Sequence, residues 1–148
     1  MSKLKVLFLC TGNSCRSQMA EGWIRQLKSD LIESYSAGIE VHNINALAVQ
    51  VMSEAGVDIS RQYSKHVRDL MEIPFDYVIT VCNHANETCL IFPGKTIRVH
   101  VGFDDPPQIA KSLKSDADIL AVYRKVRDEI RRYVETLPDA LPAFHKDK

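Results

Sequence analysis

Net charge is the first thing this chain lacks. Its 148 residues carry 19 Lys and Arg against 19 Asp and Glu. No global field therefore draws it to nucleic acid or to an anionic membrane, and any anion site must be local. Long apolar runs are missing as well. None approaches the length of a membrane span. The few apolar residues after Met1-Ser2-Lys3-Leu4-Lys5 are too short for the core of a signal peptide. These absences lead to the expectation of a cytoplasmic monomer with no membrane and no nucleic-acid partner. Internal repeats, low-complexity tracts and linker-like segments are also absent. One domain is expected over residues 1–140, with a frayed tail over 141–148. The five histidines, at 42, 66, 84, 100 and 145, show no metal-ligand spacing, so no metal site is expected.

What is present centres on one corner. The apolar run Val6-Leu7-Phe8-Leu9 reads as a buried strand. Cys10-Thr11-Gly12-Asn13-Ser14-Cys15-Arg16-Ser17 follows it, and a helical pattern then opens with Gln18-Met19-Ala20-Glu21-Gly22-Trp23. Backbone N–H groups from Thr11 to Ser17 can converge on an anion where such a turn enters a helix. Arg16 adds a planar fork for two oxygens of that anion. The same positive field lowers the pKa of Cys10 toward a thiolate. A plain strand-turn-helix connection with a buried cysteine would use the same residues. Cys, five spacers, Arg and Ser arriving together at the corner favour a nucleophile beneath an oxyanion cradle.

The rest of the chain alternates. Strands are expected at 4–10, 32–36, 77–81 and 96–101. Helices are expected at 17–29, from Asn43 or Asn45 to Ala55, at 66–72 and at 116–137. Residues 102–107 read as a loop, because Pro106 and Pro107 preclude strand pairing. Alternation of this kind implies an α/β domain: a four-stranded parallel sheet with helices on both faces. Ligands of such sheets bind at the carboxyl ends of the strands, where Cys10, Cys82 and Asp104-Asp105 all fall.

A carboxylic acid in that position can protonate an oxygen leaving a tetrahedral oxyanion. Cys82 and Cys89, with six residues between them, suggest a relay in which Cys10 attacks the substrate, Cys82 attacks Cys10 and Cys89 attacks Cys82. Two unrelated thiols are the plainer alternative. A four-cysteine zinc site fits poorly, because structural zinc sites use pairs two to four residues apart. Cys15 reads as packing beneath the loop, with a backup thiol as the alternative.

The stretch Cys10 to Gly22 closely resembles the thioredoxin-coupled arsenate reductases, which share the fold of the low-molecular-weight protein tyrosine phosphatases. The resemblance continues through Tyr35-Ser36-Ala37-Gly38-Ile39-Glu40, Ala55-Gly56-Val57-Asp58-Ile59-Ser60, Val81-Cys82, Cys89, Gly102-Phe103-Asp104-Asp105-Pro106 and Val126-Arg127-Asp128-Glu129-Ile130. It implies that Cys10 forms an adduct with arsenate. Arg16 and the amides of Thr11, Gly12, Asn13, Ser14, Cys15, Arg16 and Ser17 would bind the oxyanion, for which phosphate or sulfate would compete. It further implies that Ser17 stabilises the Cys10 thiolate, Asn13 shapes the loop and Asp105 is the general acid. A Cys10–Cys82 disulfide would then pass to Cys82–Cys89, which thioredoxin reduces. No cofactor is implied, since the thiols supply both electrons. Some members hold a potassium ion on residues matching Asn13, Glu21 and Ser36 plus an aspartate. Lys65 occupies the position of that aspartate, which implies weak potassium dependence. Phosphatases of this fold carry an aromatic residue after Asp-Pro, where this chain has Pro107, and they need no counterpart of Cys82 and Cys89. Both differences favour reduction over phosphomonoester hydrolysis. A non-catalytic redox sensor is the third reading, disfavoured by the complete set of Cys10, Arg16 and Asp105.

Overall fold

The computed structural model describes residues 3–81 and 95–144. At its centre is β1 (Leu4–Cys10), whose last five residues are all buried. β2 (Ile32–Gly38) pairs with one edge of β1 and β3 (Tyr77–Thr80) with the other. β4 (Ile97–His100) lies outside β3, giving the order β2-β1-β3-β4, all parallel. A strand enclosed on both edges and both faces has no solvated side, which is why β1 is a continuous apolar run instead of an alternating one. The chain goes to one side of β1 for β2 and to the other for β3. The carboxyl end of β1 is therefore the switch point, where open α/β sheets bind ligands.

β2 runs two residues past its expected end, because Cys10 pairs with Gly38. Gly38 allows this by having no side chain. A Cβ there would stand 2.7 Å from the Thr11 carbonyl oxygen, 2.8 Å from the Asn13 nitrogen and 2.8 Å from the Glu40 carbonyl oxygen. All three are backbone atoms that cannot swing aside.

The first helix, α1 (Arg16–Leu27), buries Met19, Ala20, Trp23 and Ile24. It stops short of the expected residue 29, because the Lys28 carbonyl accepts from the N–H groups of Leu31 at 3.0 Å and Ile32 at 2.9 Å, closing a turn through Ser29-Asp30 into β2. α2 (Ala46–Glu54) is capped by Asn45, whose Oδ1 accepts from the N–H groups of Leu47 at 2.9 Å and Ala48 at 3.0 Å. Gly56, at φ +84, ends that region. The short helix expected at 66–72 is a 3-10 turn, Val67–Leu70.

The expected loop at 102–107 needs correction. Pro106 and Pro107 open a short helix, α3 (Pro106–Ala110), with Asp105 as its N-cap residue. Proline blocks strand pairing, but at the first turn of a helix its missing N–H removes a donor that had no partner to lose. The last helix, α4 (Asp116–Glu135), starts at Ser115, whose hydroxyl accepts from the Asp118 N–H at 3.0 Å. It buries Tyr123, Val126, Ile130 and Val134. Arg124 grips Glu54 through two bonds of 2.8 Å, and the Trp23 indole donates to the Arg127 carbonyl at 3.1 Å. α4 is thereby tied to both α2 and α1. In the segment expected to fray, Leu141 is buried and the Tyr77 hydroxyl donates to the Pro142 carbonyl at 2.7 Å, while Pro142 and Ala143 are exposed; residues 145–148 lie outside the described residues.

Candidate active site

Between Cys10 and Arg16 the backbone makes a tight loop around the end of β1. Its bend is set by Asn13, a non-glycine residue at φ 49. That conformation costs about 1 kcal/mol for an ordinary residue and less for asparagine. Asn13 is fully buried, and both ends of its amide are used. Nδ2 donates to the Ser17 hydroxyl at 2.8 Å, and Oδ1 accepts from the Lys65 N–H at 2.8 Å.

Each loop carbonyl is held from outside. Thr11 O accepts from the Glu40 N–H at 2.9 Å, Ser14 O from the Asn45 N–H at 2.8 Å and Cys15 O from the Met19 N–H at 2.9 Å. Gly12 O accepts from the Ser64 hydroxyl at 2.9 Å and Asn13 O from Gln18 Nε2 at 2.9 Å. In a planar trans peptide the N–H points opposite the C=O. Holding the carbonyls of Thr11, Asn13, Ser14 and Cys15 outward thus turns the N–H groups of Gly12, Ser14, Cys15 and Arg16 to the concave side. The amino end of α1 adds its dipole there. Cys10, 4% exposed, ends β1 at the base of this loop.

Arg16 is the second half of the arrangement. Arg16 is buried, 7% exposed. Nη1 donates to the Phe103 carbonyl at 2.9 Å, and Nη2 lies 3.5 Å from Asp105 Oδ2. Nε is buried with no hydrogen-bond partner among the described residues. A buried donor left in that state costs about 1–3 kcal/mol, more when charged. An incoming anion would remove the cost.

The segment that carries Asp105 is brought there by β3 and β4. The Val101 N–H bonds to Thr80 O at 2.8 Å, the Phe103 N–H bonds to Val81 O at 3.2 Å, and the Phe103 ring packs edge-on against Tyr133. The two neighbouring aspartates diverge. Asp105 faces Arg16, whereas Asp104 is exposed and lies 3.9 Å from Lys125 on α4. Cys15 is 3% exposed, and burial pushes its thiol up to about 12, with Arg16 opposing the rise and Asp105 adding to it. It is therefore a protonated thiol at neutral pH. Ser17 is fully buried and accepts from Asn13, which leaves its own proton available to another acceptor. Cys82 and Cys89 lie outside the described residues.

Behind the loop, the Ser36 hydroxyl donates to Glu21 Oε1 at 2.5 Å. Lys65 Nζ lies 3.9 Å from the same oxygen, donates to the Tyr63 carbonyl at 2.7 Å and sits over the Tyr63 ring at 4.5 Å. Burial lowers the pKa of Lys65, and the Glu21 carboxylate opposes the fall.

Sequence reasoning did not single out Gln18, Ser64, Glu40, Asn45 or Phe103 as parts of the site. Glu40, Asn45 and Phe103 contribute backbone groups, which leave no side-chain signature. Gln18 and Ser64 contribute side chains of types that are usually exposed; Gln18 is fully buried and Ser64 half-buried, which no local pattern announces.

The family described as low molecular weight phosphotyrosine protein phosphatase matches residues 5–147. A protein of Halalkalibacterium halodurans named arsenate reductase is 47% identical over 139 residues, covering 94% of this chain and 98% of its own. Among solved structures, an arsenate reductase in the phosphate binding state superposes with a TM-score of 0.69 at 31% identity, over 90% of this chain and 95% of that one. A low molecular weight protein tyrosine phosphatase from T. tengcongensis superposes with a TM-score of 0.74 at 26% identity, over 94% of this chain and all of the other.

Proposed function

The chain belongs to the low molecular weight phosphotyrosine protein phosphatase family, and within it we propose an arsenate reductase that works by a thiol relay. Arsenate enters the concave side of the Cys10–Arg16 loop. The observation that carries this reading is the buried Arg16 Nε, without a hydrogen-bond partner among the described residues, beside amides turned inward. The reduction itself is supported by relatives named arsenate reductase and by the cysteines at 82 and 89.

The Cys10 thiolate, stabilised by the Ser17 hydroxyl, attacks arsenic. A sulfur–arsenic bond forms, and one arsenate oxygen leaves as water with a proton from Asp105. The Cys82 thiolate then attacks the Cys10 sulfur. The sulfur–arsenic bond breaks with its electron pair going to arsenic, which leaves as arsenite, and a Cys10–Cys82 disulfide remains. Cys89 attacks Cys82 and returns Cys10 as a thiolate. Thioredoxin reduces the Cys82–Cys89 disulfide. Two thiols are oxidised per arsenate reduced, so the electrons balance without a bound cofactor. The cytoplasm, where thiols are kept reduced, is the compartment in which such a relay runs.

Hydrolysis of small aryl phosphates is the second reading, favoured by the superposition on a tyrosine phosphatase. Phosphate and arsenate are near-isosteric, so the loop does not separate them. The test is a direct comparison of arsenite formed from arsenate, with thioredoxin, thioredoxin reductase and NADPH, against p-nitrophenol released from its phosphate ester. Arsenite formation is expected to dominate. A faster phosphatase with no arsenate-dependent NADPH oxidation would reverse the assignment.

Lys65 supports a second expectation. Its ammonium lies where Glu21 and the Tyr63 carbonyl would otherwise coordinate a cation. Exchange of sodium for potassium buffer is expected to leave the arsenate-reduction rate unchanged. Several-fold activation by potassium would contradict an internal cation.

A further inference from the structure

We infer that Gln18 is a positioning residue of the oxyanion loop, one that fixes which way the Asn13–Ser14 peptide faces. The inference rests on the reading of that loop as an oxyanion site. Gln18 is fully buried in the first turn of α1, with no exposed surface. Its amide nitrogen donates to Asn13 O at 2.9 Å and to Tyr63 O at 3.0 Å, so both hydrogens are used. Its amide oxygen accepts from Gln62 Nε2 at 2.8 Å, and its backbone oxygen accepts from the same nitrogen at 3.0 Å. This network allows one orientation of the Gln18 amide. The reverse would put Oε1 against two carbonyl oxygens and Nε2 against a donor.

The consequence falls on one N–H. Asn13 O and the Ser14 N–H belong to one peptide plane and point in opposite directions. While Gln18 holds the carbonyl outward, the Ser14 N–H faces the anion. A rotation of that plane needs only compensating changes at ψ of Asn13 and φ of Ser14. It would present a carbonyl oxygen to an oxyanion in place of a donor. The outward carbonyls of Thr11, Ser14 and Cys15 are held by backbone N–H groups, which no side-chain substitution removes. Those of Gly12 and Asn13 are held by side chains, the Ser64 hydroxyl and the Gln18 amide. Gln18 also ties the loop to segment 62–65, whose Ser64 and Lys65 supply two further bonds to Gly12 and Asn13.

Gln18→Met keeps the length and burial and removes both donors. With the full chain in reduced form and inorganic phosphate as probe, the variant is expected to bind phosphate about 10- to 100-fold more weakly, the equivalent of one hydrogen bond to a charged group. KM for arsenate rises in proportion, with kcat close to wild type, as for an interaction made equally in the ground and transition states. A merely structural role would lower the melting temperature and leave the phosphate Kd of the folded protein where it was; that result overturns the inference. If Gln18→Met does not fold, Gln18→Leu replaces it, since it too removes both Nε2 donors, to Asn13 O and to Tyr63 O. Phosphate binding several-fold weaker in Gln18→Leu supports the inference, and wild-type affinity overturns it. Wild-type protein that binds no phosphate would overturn the oxyanion reading and this inference together. Wild-type binding with an unchanged Gln18→Met overturns this inference alone.

Discussion

Replacing Arg16 by alanine is expected to lower kcat/KM for arsenate by about 10³-fold, and replacing it by lysine by about 10²-fold, the range measured for removal of oxyanion-stabilising donors. The geometry explains why lysine does not suffice. Arg16 addresses three directions at once: Nη1 to the Phe103 carbonyl, Nη2 to Asp105, and Nε to the space where no partner is present among the described residues. A planar fork supplies donors along fixed axes, whereas an ammonium is a compact point charge on a flexible stem. Lysine would keep the charge and lose the two-point grip on the anion. It would also leave the Phe103 carbonyl without its donor, loosening the segment that carries Asp105. Steady-state kinetics with arsenate and a phosphate titration check this. A lysine variant within a few-fold of wild type in both would contradict the role given to Arg16.

Asp105→Asn is expected to reduce kcat by about 10²–10³-fold, the contribution of a positioned general acid. Asp104→Asn is expected to leave kcat nearly unchanged. The contrast is demanding because the residues are adjacent and chemically identical. Extended backbone at Asp105, φ −93 and ψ 101, sends neighbouring side chains to opposite sides. Asp105 therefore faces Arg16 at 3.5 Å, while Asp104 reaches the exposed Lys125 at 3.9 Å. An exposed ion pair of that kind contributes about 0–1 kcal/mol to stability. Asparagine can still precede Pro106 at the start of α3, so Asp105→Asn tests the proton and not the fold. Melting curves of both variants should lie near wild type. Equal losses of kcat in the two variants would remove the general-acid assignment from Asp105.

Much of this arrangement is written in the local sequence. The apolar run Val6 to Leu9 announces a strand buried on both faces, and Cys10 to Ser17 announces the loop after it. Both follow from local sequence, because an enclosed parallel strand and a glycine-containing turn impose composition directly. The loop at 102–107 was less legible. Pro106 and Pro107 exclude a strand but are compatible with either a loop or the first turn of a helix, and the helix forms. Composition and spacing do not separate Asp104 from Asp105, since their divergence depends on backbone direction; only the family resemblance singles out Asp105 in the sequence. The carbonyl-holding groups were the least legible. Glu40, Asn45 and Phe103 act through main-chain atoms, and they reach the loop only because β2, α2 and β4 converge at the carboxyl end of the sheet. Gln18 has a side chain to read, but nothing in the sequence distinguishes a buried glutamine from a solvated one.

The central claim is that an oxyanion loop shared with phosphatases ends its reaction as a reduction, because a second pair of thiols intercepts the Cys10 adduct. A single-turnover measurement on Cys89→Ser tests it most directly. Mixed with excess arsenate and no external reductant, the variant should release one arsenite per protein and stop. Mass spectrometry of the product should find Cys10 joined to Cys82, with no further arsenite formed on adding thioredoxin, its reductase and NADPH beyond a slow direct reduction of that bond. Sustained turnover through thioredoxin at the wild-type rate, or arsenite released with no Cys10–Cys82 disulfide, would contradict the relay.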